Sequence, residues 1–338
     1  MAIIIHHYTN IDVLALILKY RTLRFTRLDQ VDDPEESNFV SNGVNLGPYT
    51  FVSCWTEMKE ESIPMWKMYT KGKWGVRLSF VKEGLFRTYM DEEHFRHNGL
   101  VGTSLGAPIQ YLFPTEVRWK QTVFTPPFLT ADYEKCNFYR KIEYVDDLKE
   151  FANDCVQIIP QADGRIGLSI QTDKVGSYKN KRWAFQEESR FVLNFIPGNP
   201  IAALNTNDFK VVNNRFIFDI MHNKDLGFSY YDMHLSDEAF DSLVITLSPL
   251  CDNSQRAIVE ALCDKYASRA KVVESNLKEN GNHDDWTPEK AKLFIQEIGE
   301  PLVREQLLGL YKESNVAGVR DKIALYREEI ERLERVQR

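Results

Sequence analysis

Features that would direct a protein to a membrane or an export pathway are missing from this sequence. No apolar run is long enough to cross a bilayer as a helix, and the first residues lack the basic start of a signal peptide. The five cysteines are odd in number and widely spaced, without a Cys-x-x-Cys unit, which argues against a disulfide framework and a structural zinc. We therefore expect a cytoplasmic protein with free thiols and no membrane partner.

Three common catalytic motifs are also missing. The chain contains no glycine-rich phosphate loop, no His-Glu-x-x-His and no Gly-x-Ser-x-Gly. The most frequent nucleotide kinase, zinc protease and serine hydrolase sites are thereby excluded. The net charge of −7 disfavours bulk binding of nucleic acid, because proteins that bind duplexes through counterion release are usually basic.

The sequence does contain enough apolar material for a packed core. Of its 338 residues 43% are hydrophobic, with 20 Phe, 15 Tyr and 6 Trp, a composition typical of a globular protein. Short apolar runs alternate with amphipathic stretches such as residues 11–20, which predicts strands interleaved with helices. We predict an α+β domain over residues 1–275, including a long helix over Tyr133–Ile159.

The composition changes after residue 275. Residues 278–285 are polar and lack an apolar period, as linkers do. Beyond them a heptad seam is formed by Val319, Ile323, Tyr326, Ile330 and Leu333. We predict that residues 276–338 are a linker and a C-terminal helical extension. Its seam packs either on its own domain or on a second copy, which would give a homodimer.

The first candidate site residues end the first apolar run, in His6-His7-Tyr8-Thr9. Neighbouring strand residues face opposite sides, so at most one histidine is expected to point into a given cleft. A histidine at a strand end often bonds a nearby carbonyl and does nothing more. His7, however, ends an apolar strand shortly before a helix cap, a position where sheets collect ligands, and a neutral imidazole there can donate to a ribose hydroxyl.

The second candidates lie on a strand, Ser53-Cys54-Trp55-Thr56, and on the short helix that follows it. Ser53 and Thr56 can bond a ligand amide or simply cap turns. Trp66 and Tyr69 share one helix face, where core packing is the usual role of aromatic rings. That role is expected for Trp66, whereas Tyr69 stands at the helix end and can offer its ring to a planar base.

The third stretch is Trp183–Glu188, which ends in two neighbouring carboxylates entering a strand. Glu187 and Glu188 point to opposite faces, and either can merely pair with surface cations. Alternatively, the site binds a nicotinamide nucleotide. One carboxylate then orients a ribose hydroxyl of this ligand and stabilises the positive charge on its sugar ring as nicotinamide leaves. We favour Glu188 as catalytic, because Arg190 shares its strand face and can hold it ionised. Glu187 is the second candidate.

An acidic turn around Asp32-Asp33-Pro34 could suggest a metal site. No acidic or histidine partner stands at a helical spacing from it, so a capped turn is favoured and no metal is predicted. A metal-dependent nuclease or other hydrolase that uses His6, Asp32 and Asp33 stays open as an alternative function.

Taken together, these motifs resemble a large bacterial family known only as a domain of unknown function. The matching residues are His7-Tyr8-Thr9, Leu23-Arg24-Phe25-Thr26, Asp32-Asp33-Pro34, Cys54-Trp55-Thr56, Met65-Trp66 with Tyr69, and Gly75-Val76-Arg77-Leu78-Ser79-Phe80. Trp183, Glu188 and Arg190 match its late stretch, and Gln186 stands where that stretch has its first Glu. The resemblance covers roughly residues 5 to 265.

The same set is remotely similar to ADP-ribosyltransferases of the His-Tyr-Glu type. This similarity implies a split, mostly antiparallel sheet around a cleft that binds NAD as substrate. It also implies that His7 holds a ribose, that Tyr69 stacks on nicotinamide and that Glu188 is catalytic. The remaining cofactor-binding candidates are Tyr8, Thr9, Ser53, Thr56, Trp66 and Arg190.

Two functions are consistent with that similarity. The first is NAD-dependent transfer of ADP-ribose to a macromolecular acceptor, a protein or a nucleic acid, in a toxin-like or phage-defence setting. The second is a ligand- or partner-binding module that uses the same fold without turnover.

Overall fold

The computed structural model describes residues 2–37, 39–90, 110–114, 122–125, 137–153, 155–160, 166–197 and 209–278. The chain divides into two units, Met1–Lys278 and Glu279–Arg338, and the second lies wholly outside the described residues. The C-terminal helical extension, its heptad seam and the homodimer therefore stay predictions, as does the domain boundary after residue 275.

The first part of the chain builds the centre of the sheet and three helices. Its strands are β1 (Ile4–Asn10), β2 (Thr22–Arg27), β3 (Val40–Ser41), β4 (Val44–Asn45), β5 (Thr50–Thr56) and β6 (Gly75–Val81). Its helices are α1 (Ile11–Tyr20), α2 (Pro34–Ser37) and α3 (Ile63–Tyr69). The predicted helix over residues 11–20 is confirmed, and it buries Ile11, Leu14, Ile17 and Leu18 on one face.

The rest of the described chain adds outer strands and four helices. The strands are β7 (Tyr89–Met90), β8 (Gln110–Tyr111), β9 (Thr122–Thr125), β10 (Tyr139–Lys141), β11 (Glu143–Val145), β12 (Val156–Pro160), β13 (Ile166–Ile170), β14 (Tyr178–Asn180), β15 (Glu188–Ile196), β16 (Tyr230–His234), β17 (Val244–Leu247) and β18 (Lys271–Val273). The helices are α4 (Lys149–Ala152), α5 (Phe209–Met221), α6 (Asp237–Asp241) and α7 (Asn253–Tyr266). None of the helices in these ranges is both long and apolar enough to span a bilayer.

One large sheet organises these elements. Its strands run in the order β10-β15-β5-β1-β6-β17-β18, while β2 pairs with β5 and β16, and β9 pairs with β15. Among its described strands every pair is antiparallel except β17 with β18. The prediction of a mixed helix and strand fold with a mostly antiparallel sheet is confirmed.

The sheet opens along one edge of β5. At one end of this edge Thr56 pairs with His6 of β1, and at the other end Val52 and Phe51 pair with β2. Between these pairings, residues 53–55 meet neither β1 nor β2 in their described registers. Because α1 separates β1 from β2, the two strands diverge and leave a gap beside the middle of β5.

Aromatic side chains fill the core beneath this gap. Phe191 of β15 is fully buried, and its ring centroid lies 4.9 Å from that of Phe86 and 5.0 Å from that of Phe138. Trp55 of β5 lies edge-on to it at 6.2 Å. Rings at these separations add edge-to-face attraction to the burial of their area. The core therefore holds β15 and β5 in a fixed relation to each other.

The long helix predicted over Tyr133–Ile159 is wrong, because among the described residues of that segment only Lys149–Ala152 are α-helical. β10, β11, α4 and the start of β12 occupy it instead. Phe138, Tyr139 and Arg140 are buried at consecutive positions, which a single helical stripe cannot produce. Ile158, near the end of the segment, is 41% exposed. The apolar spacing belongs to several short elements that face different neighbours.

The packing of Phe191 gives a first test of this core. Phe191→Ala should lower the free energy of unfolding by about 3–5 kcal/mol, because the lost ring leaves a cavity among aromatic neighbours. Phe218→Ala is the matched control, since this ring is 53% exposed, and it should change stability by about 0.5 kcal/mol or less. Urea unfolding followed by circular dichroism measures both, and equal losses would contradict the assigned packing.

Candidate functional site

A cavity of about 260 Å³ lies at the gap in the sheet. Its walls come from β1, β2, the segment 30–32, β5, α3, β14, β15 and the turn before β15. His7, Tyr69 and Glu188 all line it, although they are far apart in the sequence. The three residues proposed from separate motifs are therefore brought together at one cavity.

His7 contacts the stretch of β5 that is left open by the split. Its Nδ1 lies 2.8 Å from the carbonyl oxygen of Cys54, which can only accept a hydrogen bond. Nδ1 therefore carries the proton, and Nε2 of the neutral ring is an acceptor. Burial lowers the pKa of His7, and this effect outweighs the Cys54 carbonyl, which acts in the opposite direction. The lowered pKa favours the neutral ring. The expected donation to a ribose hydroxyl is therefore corrected: His7 would accept from it.

His6 also lines the cavity, contrary to the expectation that only one of the two histidines would. The cavity opens at the edge where β1 leaves β5, so side chains from both faces of β1 reach it. The Nδ1 of His6 lies 2.7 Å from Oγ of Ser79. Burial and the nearby Arg77 guanidinium lower the pKa of His6 to about 4, so its ring is neutral at pH 7.

The acidic turn caps the start of α2. Oδ1 of Asp33 accepts from the backbone N–H of Glu35 at 2.9 Å. Asp32 lines the cavity beside His6. Within the described ranges, no group of three or more His, Cys, Asp or Glu residues is arranged to hold a metal ion. The hydrolase alternative gains no support from these contacts.

Tyr8 joins β1 to the start of α3. Its hydroxyl accepts from the backbone N–H of Ser62 at 3.1 Å, and its ring meets Trp66 edge-on at 5.0 Å. Tyr8 lines the cavity, whereas Thr9 and Trp66 are buried outside its lining. Trp66 donates from Nε1 to Oε2 of Glu61 at 3.0 Å. Thr9 and Trp66 therefore do not face the cavity, and Trp66 has the packing role that its helix position favours.

Of the two polar candidates on β5, only Ser53 lines the cavity. Its Oγ accepts from Nε1 of Trp55 at 3.0 Å. Thr56 donates from Oγ1 to the carbonyl oxygen of Glu187 at 3.0 Å and accepts from the backbone N–H of Met58. Thr56 therefore fixes the turn before β15, which is the second of the two roles that its sequence position left open.

The two neighbouring glutamates have different surroundings. A 3₁₀ turn, Lys181–Gln186, ends at Glu187, which has a φ of 42° in the left-handed region. The side chain of Glu187 is exposed and outside the lining, whereas Glu188 is 6% exposed and lines the cavity. Only Glu188 is placed to meet a bound ligand.

Glu188 lies in a buried cluster of four charges. Its Oε1 accepts from Nε of Arg190 at 2.5 Å, the contact that their shared strand face predicts, and its Oε2 accepts from Nζ of Lys179 at 2.9 Å. Arg190 also donates through both Nη atoms to the carboxylate of Glu36, at 2.5 and 3.0 Å. Two acids and two bases balance, which is the condition for keeping charges buried.

The cluster determines the protonation of its members. Burial alone would raise the pKa of Glu188, but Arg190 and Lys179 outweigh it and hold that pKa well below its usual range. The two carboxylates raise the pKa of Arg190 well above its ordinary value, against the effect of its burial. Burial and the neighbouring Glu188 carboxylate raise the pKa of the Cys54 thiol in the cavity wall. Glu188 is therefore ionised at pH 7, while Cys54 is a neutral thiol and a poor nucleophile.

Sequence reasoning missed two residues of this wall, Lys179 and Gln186, and also missed Glu36, which pairs with the wall residue Arg190. Gln186 donates from Nε2 to the Tyr69 hydroxyl at 2.5 Å and accepts from Nζ of Lys179 at 2.9 Å. It thereby connects the candidate stacking ring to the charge cluster. Only Gln186 had a signal, its place within the late motif. No spacing rule relates Glu36 or Lys179 to β15.

No protein-family model, curated protein or solved structure matches this chain.

The charge cluster predicts how stability depends on pH. A carboxyl group with a depressed pKa stabilises the fold fully above its ordinary pKa, about 4.3, and this stabilisation is lost as the pH falls through the depressed value. Glu188→Gln should cost about 3–5 kcal/mol at pH 7, because it leaves two buried cations short of a partner. The difference from wild type should shrink below the ordinary pKa of Glu.

Urea unfolding of both proteins across the acidic range measures this difference. Glu187→Gln is the matched control, and its exposed side chain should leave stability unchanged at every pH. A stability difference between wild type and Glu188→Gln that is the same at low and neutral pH would refute the assignment of Glu188 as an ionised member of the charge cluster.

Proposed function

We propose that this protein binds NAD at the gap in its sheet and transfers the ADP-ribosyl group to a macromolecular acceptor, with release of nicotinamide. The observation that carries the proposal is the placement of His7, Tyr69 and Glu188 on one cavity. A hydrogen-bond acceptor on His7, a flat ring on Tyr69 and a fixed carboxylate on Glu188 around one cavity suit a nicotinamide ribosyl group whose sugar ring becomes positively charged.

The size of the cavity supports binding of one end of the dinucleotide. Cavities that enclose a whole drug-sized ligand hold about 300–1,000 Å³, and this one holds about 260 Å³. The nicotinamide riboside end would occupy it, and the adenylate end would extend toward solvent. The Tyr69 ring, fixed by its bond to Gln186, offers a flat surface for nicotinamide.

The chemistry proposed for Glu188 is electrostatic. The bond between the ribose C1′ and the nicotinamide nitrogen breaks, and its electron pair leaves with nicotinamide. An oxygen or nitrogen of the acceptor forms the new bond to C1′ and gives up its proton. The ionised carboxylate of Glu188 would orient a ribose hydroxyl and stabilise the positive ring between these steps.

The arrangement of strands supports an ADP-ribosyltransferase-like fold as part of this proposal. β1, which carries His7, and β15, which carries Glu188, pair with opposite edges of β5. The helix that carries Tyr69 follows β5 directly. A split sheet with these residues around its opening is what the remote similarity to that superfamily implies.

Nicotinamide release tests the enzymatic proposal. Incubation with NAD, with and without cell lysate, should release nicotinamide in the wild type, and Glu188→Gln should reduce the rate by at least about 100-fold. Glu187→Gln, which changes an exposed neighbour, should keep the wild-type rate. Equal rates in both single variants and in the double variant would remove both carboxylates from the mechanism.

A binding module without turnover is the second candidate, and one observation favours it. Both oxygens of Glu188 are bonded to protein cations, which offset the negative charge that an oxocarbenium ion would need. In this alternative the cavity binds the same nucleotide, and the cluster serves only to shape its wall.

Thermal unfolding with NAD tests binding independently of turnover. Ligand at about 100 times its Kd should stabilise the protein by about 2.7 kcal/mol. Tyr69→Phe keeps the ring and loses the bond to Gln186, whereas Tyr69→Ala loses the ring, so the alanine variant should bind NAD more weakly. A shift without nicotinamide release identifies the binding module. No shift in the wild type, or equal binding by both variants, would contradict the role of the ring.

A further inference from the structure

Lys179 is a buried lysine shared by two carboxylates. Its Nζ lies 2.9 Å from Oε2 of Glu188 and 3.5 Å from Oε1 of Glu36, and its side chain is 7% exposed. Oε1 of Gln186 accepts from it at 2.9 Å, and the Trp183 ring lies 4.9 Å away. The shorter of the two carboxylate contacts places the ammonium group on Glu188.

This placement restricts how Glu188 can meet a ligand. Oε1 of Glu188 is bonded to Nε of Arg190, which is held in turn by both oxygens of Glu36. Oε2 is therefore the oxygen open to exchange, and it is the one that Lys179 occupies. A ligand hydroxyl that bonds Oε2 competes with the ammonium group there. A displaced ammonium group keeps its bond to Gln186 but needs another carboxylate, because a buried charge without a counter-charge is costly.

We propose that Lys179 is a positioning residue that exchanges between two carboxylates: its ammonium group leaves Oε2 of Glu188 when a ligand hydroxyl binds there and moves to Oε1 of Glu36. The inference rests on the proposed function, since the hydroxyl is taken to be that of the nicotinamide riboside. Glu36 lies only slightly beyond bonding distance already, so the required movement is small. The four buried charges still balance after the exchange.

NAD affinity in single and double variants, measured by calorimetric titration, tests the exchange. Glu36→Gln removes the second carboxylate, so Lys179 stays on Glu188, and affinity should fall by about tenfold, a ratio in the range of one charge-assisted hydrogen bond. Adding Lys179→Met to Glu36→Gln removes the competing cation, and affinity should recover toward wild type. Two substitutions that only damaged packing would not compensate each other in this way.

Lys181→Met is the matched control. This lysine lies two residues further along the chain, its side chain is 58% exposed and it pairs with Asp146. Its replacement should leave NAD affinity unchanged. If Glu36→Gln does not fold, the same pair of titrations is made with Glu36→Asp, which keeps the charge but withdraws it by one methylene.

The outcomes separate the two proposals. A double variant that binds NAD as weakly as the Glu36 single variant, in a wild-type protein that does bind NAD, overturns the exchange and leaves the proposed function standing. Wild-type protein that does not bind NAD overturns the proposed function, and the exchange falls with it. Recovery of affinity in the double variant supports both.

Discussion

The site depends on the ion pairs that the guanidinium group of Arg190 forms with two carboxylates. This side chain is 1% exposed and bonds Glu188 on its own strand and Glu36 on α2. A buried cation must be paired, so this contact ties the acidic turn to β15. Lys179 extends the same pairing to β14. One wall of the cavity is therefore formed by β14 and β15, and charge pairing ties this wall to α2, which is distant in sequence.

The opposite wall depends on the gap in the sheet. β1 and β2 separate beside β5, and His7 bonds the Cys54 carbonyl on the edge between them. The Tyr8 hydroxyl holds the start of α3 against β1, which places Tyr69 at the end of that helix beside the cavity. The bond from Gln186 to Tyr69 then joins the two walls. The cavity is thus lined by groups whose positions are set by backbone pairing and by buried hydrogen bonds.

Local rules predicted the parts of this site that lie within one element. The apolar spacing of α1 and the i, i+2 relation of Glu188 to Arg190 follow from helix and strand geometry alone, and both are observed. Glu36 is 154 residues from Arg190, so no periodicity could relate them. Lys179 is nearer to Glu188 in sequence, but its role depends on how β14 packs. The helix predicted over Tyr133–Ile159 is wrong because apolar residues that belong to several short elements happen to have the spacing of one helical face.

The central proposal is that His7, Tyr69 and Glu188 bind the nicotinamide end of NAD at the gap in the sheet. A crystal structure of the wild-type protein with NAD tests it most directly. The account predicts the nicotinamide ring against Tyr69, with hydroxyls of its ribose bonded to Nε2 of His7 and to Oε2 of Glu188. Nucleotide bound elsewhere on the protein, or bound here with its adenine end in the cavity, would contradict the account.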